Sequence, residues 1–398
     1  MAASNTATTY GTVTKTFHWL TALLILTAVA LGAVANRLPY ETNDQLAFKA
    51  QLFSFHKTLG VIVFALALAR ILWAVAQPKP GPLHPDRTAE TRLAELVHWL
   101  LYISLVAVPL TGWIHHAASA GFAPIMLPIG QGLPLVPKSE SVSELFAGLH
   151  WLWSKIMVGA ILLHVAGALK HQFIDKAATL RRMWFGNTNM PTVESHKGSF
   201  VAPIAAVAIY GVVTGGGAMA GLYTHETLDA TVALEEVSSD WQVTDGSLEI
   251  TVNQFGSPVT GAFADWTSAV TFDPEAEGVV GDVTTTIEIV SLELGSVTVQ
   301  AMGADFFYVE AFPTATFTAD ITRAESDYVA TGTLTIKDVT LPVTLPFTLE
   351  LQSDTAVMAG IIALDRREFQ IGNSIDDESN LGFGVGISIN LSATRAPE

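Results

Sequence analysis

The sequence has no cysteine among its 398 residues. That absence excludes disulfides, cysteine-ligated iron–sulfur clusters, thiolate zinc sites and covalent haem attachment through C-x-x-C-H. Any haem is therefore non-covalent and b-type, with His, Met or Tyr left as ligands. Charge is scarce as well. Asp, Glu, Lys and Arg make up 14% of the chain, whereas 50% is hydrophobic and the mean hydropathy is +0.41. This balance points to membrane spans. The few bases are unevenly placed: residues 226–398 hold 28 acids against 5 bases, a balance of −23, and residues 1–225 hold 9 acids against 15 bases, or +6. A basic membrane half is thus followed by an acidic half that disfavours nucleic acid as a partner.

Five apolar runs of about twenty residues are present: Phe17 to Ala35, Phe53 to Trp73, Leu93 to Ile114, Leu149 to Lys170 and, after a polar interval, Phe200 to Tyr223. Each suits a bilayer-crossing helix. Bases gather after the second run (Arg70, Lys79, Arg87, Arg92) and after the fourth (Lys170, Lys176, Arg181, Arg182). The alternate loops are poorer, with Arg37, Lys49 and Lys57 in one and Lys138 in the other. Positive-inside asymmetry puts the N-terminus and the basic loops in the cytoplasm. The fifth run then carries the chain outward, so residues beyond Tyr223 are expected in the periplasm. Ala33-Val34-Ala35 before Asn36 has the form of a signal cleavage site. The n-region has only Lys15 and cleavage would discard His18, so the first run is read as a retained span. The small residues of the fifth run, Gly215, Gly216, Gly217 and Gly221, suit packing against the bundle or against another protomer, and neither is favoured.

Beyond about Leu234 the hydrophobic period changes to two. Leu248, Ile250 and Val252 alternate with polar neighbours, as do Leu334 and Ile336, the row Val343 to Leu351 and the row Phe383 to Leu391. Short strands between Gly, Asp and Pro turns read as an antiparallel sandwich or barrel. Alternation alone favours a packed core over a lipid cavity. Residues 186–199 and 224–233 read as linkers.

Histidines carry the chemistry of the membrane half. His150 and His164 lie 14 residues apart in the fourth run, within about 40° of one helical face and roughly 21 Å apart along it. Span direction pairs His18 with His164 near the cytoplasm and His56 with His150 near the outer side. Ionisable groups in lipid are expensive, so four at two matched depths point to two bis-imidazole haem sites. His98 is a rival to His18. His171 shares the face of His164 but follows Lys170 at the interface, and depth favours His164. His115 and His116 are expected to be exposed near the outer surface. His84, His196 and His225 have no argument behind them.

His18-Trp19, His56-Lys57-x-x-Gly60, His98-Trp99 with Gly112-Trp113, Leu149-His150 through Leu163-His164 and the Arg182-Met183 close resemble the bacterial cytochrome b-561 family over residues 10–185. The resemblance implies a four-helix, di-haem, quinone-linked cytochrome with haem iron held by His18, His56, His150 and His164. Some family members oxidise superoxide and pass electrons to ubiquinone.

Residues 236–398 resemble the YceI-like isoprenoid-binding family. The matching features are Trp241, Ser247, Val259-x-Gly261-x-Phe263, Phe272-Asp273-Pro274, Asp305-Phe306-Phe307, Phe312-Pro313, Phe317, the run Gly332 to Val343, Arg366-Arg367-Glu368-Phe369 and Ile371-Gly372. The family fold is a lipocalin-like barrel that holds a long isoprenoid chain, often a quinone tail. In this reading Phe306 and Phe307 line or rim the cavity, and Arg366 and Arg367 orient a head group or pair with nearby acids. Asp338 stands where the family usually carries Gly, which leaves the turn geometry open.

The expected fold class is multi-domain α plus β. A transmembrane four-helix di-haem bundle (1–185) precedes a linker with a fifth transmembrane helix (186–235, the helix at about 200–223) and a lipocalin-like antiparallel β-barrel (236–398). The expected function is inner-membrane electron transfer through two haem b to or from ubiquinone or another isoprenoid quinone. The barrel binds the quinone or a polyisoprenoid, and superoxide oxidation, with Lys57 attracting the anion, is a narrower version. The alternative is a membrane-anchored isoprenoid carrier. Expected partners are the lipid bilayer and the isoprenoid, with oligomerisation through the fifth helix open.

Overall fold

The computed structural model describes residues 2–81, 87–119, 123–177, 179–186, 200–223, 234, 239–324 and 327–395. His84, His196 and His225, and nearly all of both expected linkers, lie outside them. The chain forms two compact units. One holds Met1–Arg37, Gln51–Ala118 and Pro124–His225; the other holds Leu38–Ala50, Ser119–Ala123 and Glu226–Glu398.

Long helices build the first unit: α1 (Thr12–Arg37), α2 (Asn43–Val75, of which the part from Gln51 on belongs here), α3 (Thr88–Ala118) and α4 (Glu140–Leu169), followed by a π-turn (Lys170–Ile174) and short α5 (Thr179–Met183). Helix α6 (Val201–Met219) completes it. Among the described residues, five helices are long and apolar enough to cross a membrane. The first four begin before their apolar stretches, so polar turns are added to the helices. Ser139, for example, accepts from the Val142 amide and starts α4 ten residues before Leu149. Helix α6 instead stops short of Tyr223. Gly221 adopts φ 70°, and the Leu222 and Gly221 amides reach back to the Gly217 and Ala218 carbonyls, closing the helix with a left-handed turn.

Ile25, Val63, Ala67, Leu105, Val108 and Met157 form one core of the bundle. A second core joins Leu100 and Ala160 to Ala206 and Tyr210 of α6. The Tyr210 hydroxyl is 2.6 Å from Ser104 Oγ, and Trp153 Nε1 donates to Thr214 at 3.0 Å. Within one chain, therefore, α6 packs on α3 and α4. A Cβ on Gly217 would meet Leu152 and Tyr223, whereas one on Gly211, Gly215 or Gly216 would meet nothing.

The second unit is an antiparallel sheet closed on itself. Its ring is β1 (Trp241–Gln254), β3 (Trp266–Phe272), β4 (Val279–Glu288), β6 (Thr314–Arg323), β7 (Tyr328–Ile336), β8 (Val339–Gln352), β9 (Thr355–Asp365) and β10 (Leu381–Arg395). Strand β1 closes the barrel against β10 and also carries β2 (Ser257–Phe263), which pairs with β5 (Leu292–Glu293). Full closure removes the edges an open sheet would expose. The β7–β8 turn tolerates Asp338 because its left-handed residue is Lys337 (φ 57°). Inward residues form a packed cluster around Trp241, Phe272, Leu345 and Phe347 and another around Leu248, Val259, Phe263 and Leu292.

Candidate functional site

Inside the bundle, the ring centres of His56 and His150 lie 6.0 Å apart and those of His18 and His164 lie 6.1 Å apart. Two metal–imidazole bonds of ~2.0 Å, each extended ~1.1 Å to the ring centre, separate two imidazoles on one ion by ~6 Å. Both pairs therefore fit a single bis-imidazole iron, and they are the pairs expected from depth. His98 sits 5.1 Å from His164, a direct ring contact too close for that spacing, and its Nδ1 bonds the Ala94 carbonyl of its own helix at 2.7 Å.

At the His56 end, one device is used twice. His56 Nδ1 donates to the Ala28 carbonyl at 2.8 Å, and His150 Nδ1 donates to the Val108 carbonyl at 2.9 Å. A carbonyl only accepts, so Nδ1 carries the proton in each ring and Nε2 keeps its lone pair for a metal. Four residues after each carbonyl stands a glycine. A Cβ on Gly32 would lie 2.8 Å from the His56 ring, and one on Gly112 would lie 2.9 Å from the His150 ring. The two helices thus offer each imidazole an acceptor and a gap one turn apart.

Around this end the structure corrects one expectation. His115 and His116 are half-buried rather than exposed, with ring centres 4.4 Å apart. His115 Nδ1 donates to the Ser143 carbonyl at 2.9 Å, which draws the end of α3 inward onto α4. Lys57 is also buried, 6% exposed.

The His18 end is built differently. Trp19 packs edge-on against His18 with ring centres 5.3 Å apart, and its Nε1 donates to the Met183 carbonyl at 2.9 Å. Tyr102 stacks on His98, and Arg70 lies over Tyr102. His171 is held elsewhere: its Nδ1 bonds Asp175 at 2.7 Å in a network where Asp175 also meets Arg87 at 2.9 Å and Lys170 at 3.2 Å. Lys170 in turn meets Glu90 at 2.8 Å. Arg87 holds the Asp175 carboxyl well below the usual carboxylate range. Arg182, read in the sequence only as a loop base and part of the closing Arg182-Met183 pair, is 6% exposed and has Nε and Nη2 without partners.

The barrel encloses a cavity of about 150 Å³ lined by Leu248, Ile250, Phe263, Phe306 and Phe307, among others. Alternation therefore supplies one packed cluster around Trp241 and Phe272 and, beside the Leu248 cluster, a void. Arg366 belongs to the wall, 3% exposed, and donates to the carbonyls of Gly382, Ile371, Gly372, Ile375 and Leu381. All three of its nitrogens are bonded to backbone, so it ties the 371–382 loop rather than pairing with an acid. Arg367 is exposed, pairs with Asp365 and stacks over Phe383 at 3.7 Å, away from the cavity lining. Sequence reading missed Gln254. It ends the inward row Leu248, Ile250, Val252, lines the cavity at 4% exposure, and its Oε1 has no partner.

Residues 9–186 match the prokaryotic cytochrome b561 family, and residues 241–393 match the YceI-like domain. Cytochrome b561 homolog 2 of Escherichia coli is 36% identical over 187 residues, covering 46% of this chain and 95% of that protein. Cytochrome b561 homolog 1 of the same organism is 28% identical, covering 42% and 91%. The probable superoxide oxidase CybB of Yersinia pestis is 25% identical, covering 42% and 90%. Among solved structures, Burkholderia cenocepacia BcnA is 32% identical over 37% of this chain and 96% of its own, with a TM-score of 0.36. The Campylobacter jejuni YceI protein is 19% identical over 44% and 98%, with a TM-score of 0.32. The match over residues 9–186 and the 36% identical Escherichia coli relative, covered over 95% of its length, make the chain a member of the prokaryotic cytochrome b561 family, a haem b family, extended by a YceI-like lipocalin-type barrel.

Proposed function

We propose that the chain is a di-haem b-type electron-transfer protein of the bacterial inner membrane whose barrel binds an isoprenoid quinone. The observation that carries this reading is the pair of imidazole–imidazole separations near 6 Å. His18 and His164 would hold one haem and His56 and His150 the other. When bound, each haem supplies a one-electron iron couple. The protein's part is to fix ligand rings, tautomers and depth. The Ala28 and Val108 carbonyls keep His56 and His150 protonated at Nδ1, which raises the ligand strength of Nε2. The apolar cores around the rings exclude water. We place the N-terminus in the cytoplasm and the barrel in the periplasm, as the Lys and Arg asymmetry favours.

The barrel's cargo has an apolar body and a polar end. Apolar residues line nearly all of the cavity, and the unpartnered Gln254 Oε1, an acceptor, suits the hydroxyl of the reduced (quinol) head group. A void of 150 Å³ admits a group of benzene size, so a polyprenyl chain enters as lining side chains move apart. Fusion raises the local concentration of this cargo beside the cytochrome. Purified protein is expected to show reduced b-type α-bands, two haems per chain, and co-purified isoprenoid in its lipid extract. A colourless preparation that retains lipid would replace this reading with that of an anchored carrier.

A second reading, superoxide oxidation at the His56 end, is favoured by the Yersinia pestis relative and by buried Lys57 beside His56. A cation there would attract the anion, while the −23 acidic half opposes such steering. Stopped-flow mixing with superoxide should reduce the haems faster in wild type than in Lys57→Met; equal rates would remove Lys57 from this role.

A further inference from the structure

At the His18 end of the bundle, three cations are gathered without an acid. Arg182 is 6% exposed and Lys15 is 3% exposed. Arg182 donates through Nη1 to the Gly81 carbonyl at 2.8 Å and lies 5.3 Å from the Tyr10 ring centre, while Nε and Nη2 are buried and unpartnered. Lys15 Nζ donates to the Trp184 carbonyl at 2.8 Å. Arg70 lies 5.8 Å from the centre of the Tyr102 ring, which stacks on His98, itself 5.1 Å from His164. Among the described residues no carboxylate pairs with any of the three. Asp175 and Glu90 are engaged with Arg87 and Lys170.

Burying a guanidinium with two N–H-bearing nitrogens unfilled costs far more than leaving it in water, unless an anion completes it. Placement suggests which anion. Met183, the residue after Arg182, holds Trp19 through its carbonyl, and Trp19 abuts His18. The open guanidinium therefore lies on the segment clamped beside one imidazole of the His18–His164 pair. Guanidinium and carboxylate match as planar, two-pronged partners. Haem b carries carboxylates at its edge.

We propose that Arg182, supported by Arg70 and Lys15, is a carboxylate-binding site that receives a propionate of the haem held by His18 and His164. This inference rests on the di-haem reading above. It gives the α5 segment a role: α5 closes the bundle over the cofactor and neutralises its charged edge. The neighbouring Tyr10 hydroxyl, kept protonated by burial, is a second donor at the same place.

The test uses the full chain with His150→Ala, so that the site at the His18 end alone takes haem. Apoprotein is titrated with protohaem and with haem dimethyl ester, whose propionates are uncharged. Wild-type Arg182 should favour protohaem by about ten- to a hundredfold, as for a hydrogen bond to a charged group. Arg182→Met should abolish that preference, and Arg182→Lys should restore part of it. In redox titration of the haem-loaded protein, Arg182→Met should also move the midpoint to a more negative potential, because a positive charge beside the iron is lost. Equal affinity of wild type for the two haems overturns the proposal, and so does a preference unchanged in Arg182→Met. If the His150→Ala chain takes up neither haem, the di-haem reading fails instead.

Discussion

Gly32 and Gly112 make the sharpest residue-scale claim, because each leaves room for a ligand ring one turn beyond the carbonyl that orients it. A methyl at either position would sit under 3.0 Å from the imidazole, so the ring must swing off its acceptor. Gly32→Ala and Gly112→Ala are each expected to disturb the same haem, seen as loss of one of two α-band components while the other stays. If either variant leaves both components unchanged, the gap has no role. Gln254 makes a second claim at this scale. Gln254→Leu should weaken binding of a short-chain ubiquinol about three- to tenfold, the worth of one neutral hydrogen bond accepted by Gln254 Oε1, and leave a prenyl hydrocarbon unaffected. Equal losses for both ligands would make Gln254 a packing residue. How much of this was legible depends on the residue. Histidine spacing and span direction suggested the pairings, because the first follows from helix geometry and the second from the Lys and Arg asymmetry of the loops. Gly32 was not legible, since its meaning depends on a ring from another helix. Gln254 could have been found by continuing the even-numbered inward row from Leu248, where a polar residue breaks an apolar pattern. Arg182 was noticed as part of a motif, but burial is invisible in a chain where neighbouring Arg181 looks the same.

Elements are held to one another by few polar contacts, and these can be tested singly. The network of Arg87, Glu90, Lys170, His171 and Asp175 joins the start of α3 to the end of α4 at the π-turn. Arg87 lowers the Asp175 carboxyl below its ordinary 3.8. A carboxylate depressed in the folded state contributes stability that is complete above its unfolded value and lost as pH falls through the folded one. The melting temperature is therefore expected to be flat from this source between about pH 6 and 8 and to fall below about pH 4. Asp175→Asn should lower it at neutral pH and flatten the acid limb; an unchanged profile would make the network ornamental. Helix α6 docks through Tyr210 and Ser104, and Tyr210→Phe should cost about 0.6 kcal/mol, the average for hydrogen bonds between membrane helices. A loss near zero in thermal unfolding would leave the docking to apolar packing around Ala206 and to the Trp153–Thr214 bond. The apolar runs located these helices but not their ends, because caps such as Ser139 and the left-handed Gly221 act outside the hydrophobic stretch.

As a whole molecule, the chain joins a cytochrome b561-family bundle to a YceI-like barrel, and its charge divides at the same place. Period-two alternation made an antiparallel sandwich or barrel readable and the YceI-like resemblance chose the barrel, whereas the closing β1–β10 pairing joins strands too far apart in sequence for any local pattern to reveal. The cavity was less legible, since a wall residue and a core residue obey the same alternation; only the packing of Phe306 and Phe307 around an open volume separates them. Joining the two units makes sense if quinone held by one meets electrons carried by the other, and that depends on both imidazole pairs being loaded. Haem should therefore be counted per chain in purified wild type, His150→Ala and His164→Ala by pyridine haemochrome absorbance against protein mass. The account predicts two b haems in wild type and one in each variant, with different midpoint potentials for the haem that remains. One haem in wild type, or two in either variant, would contradict it.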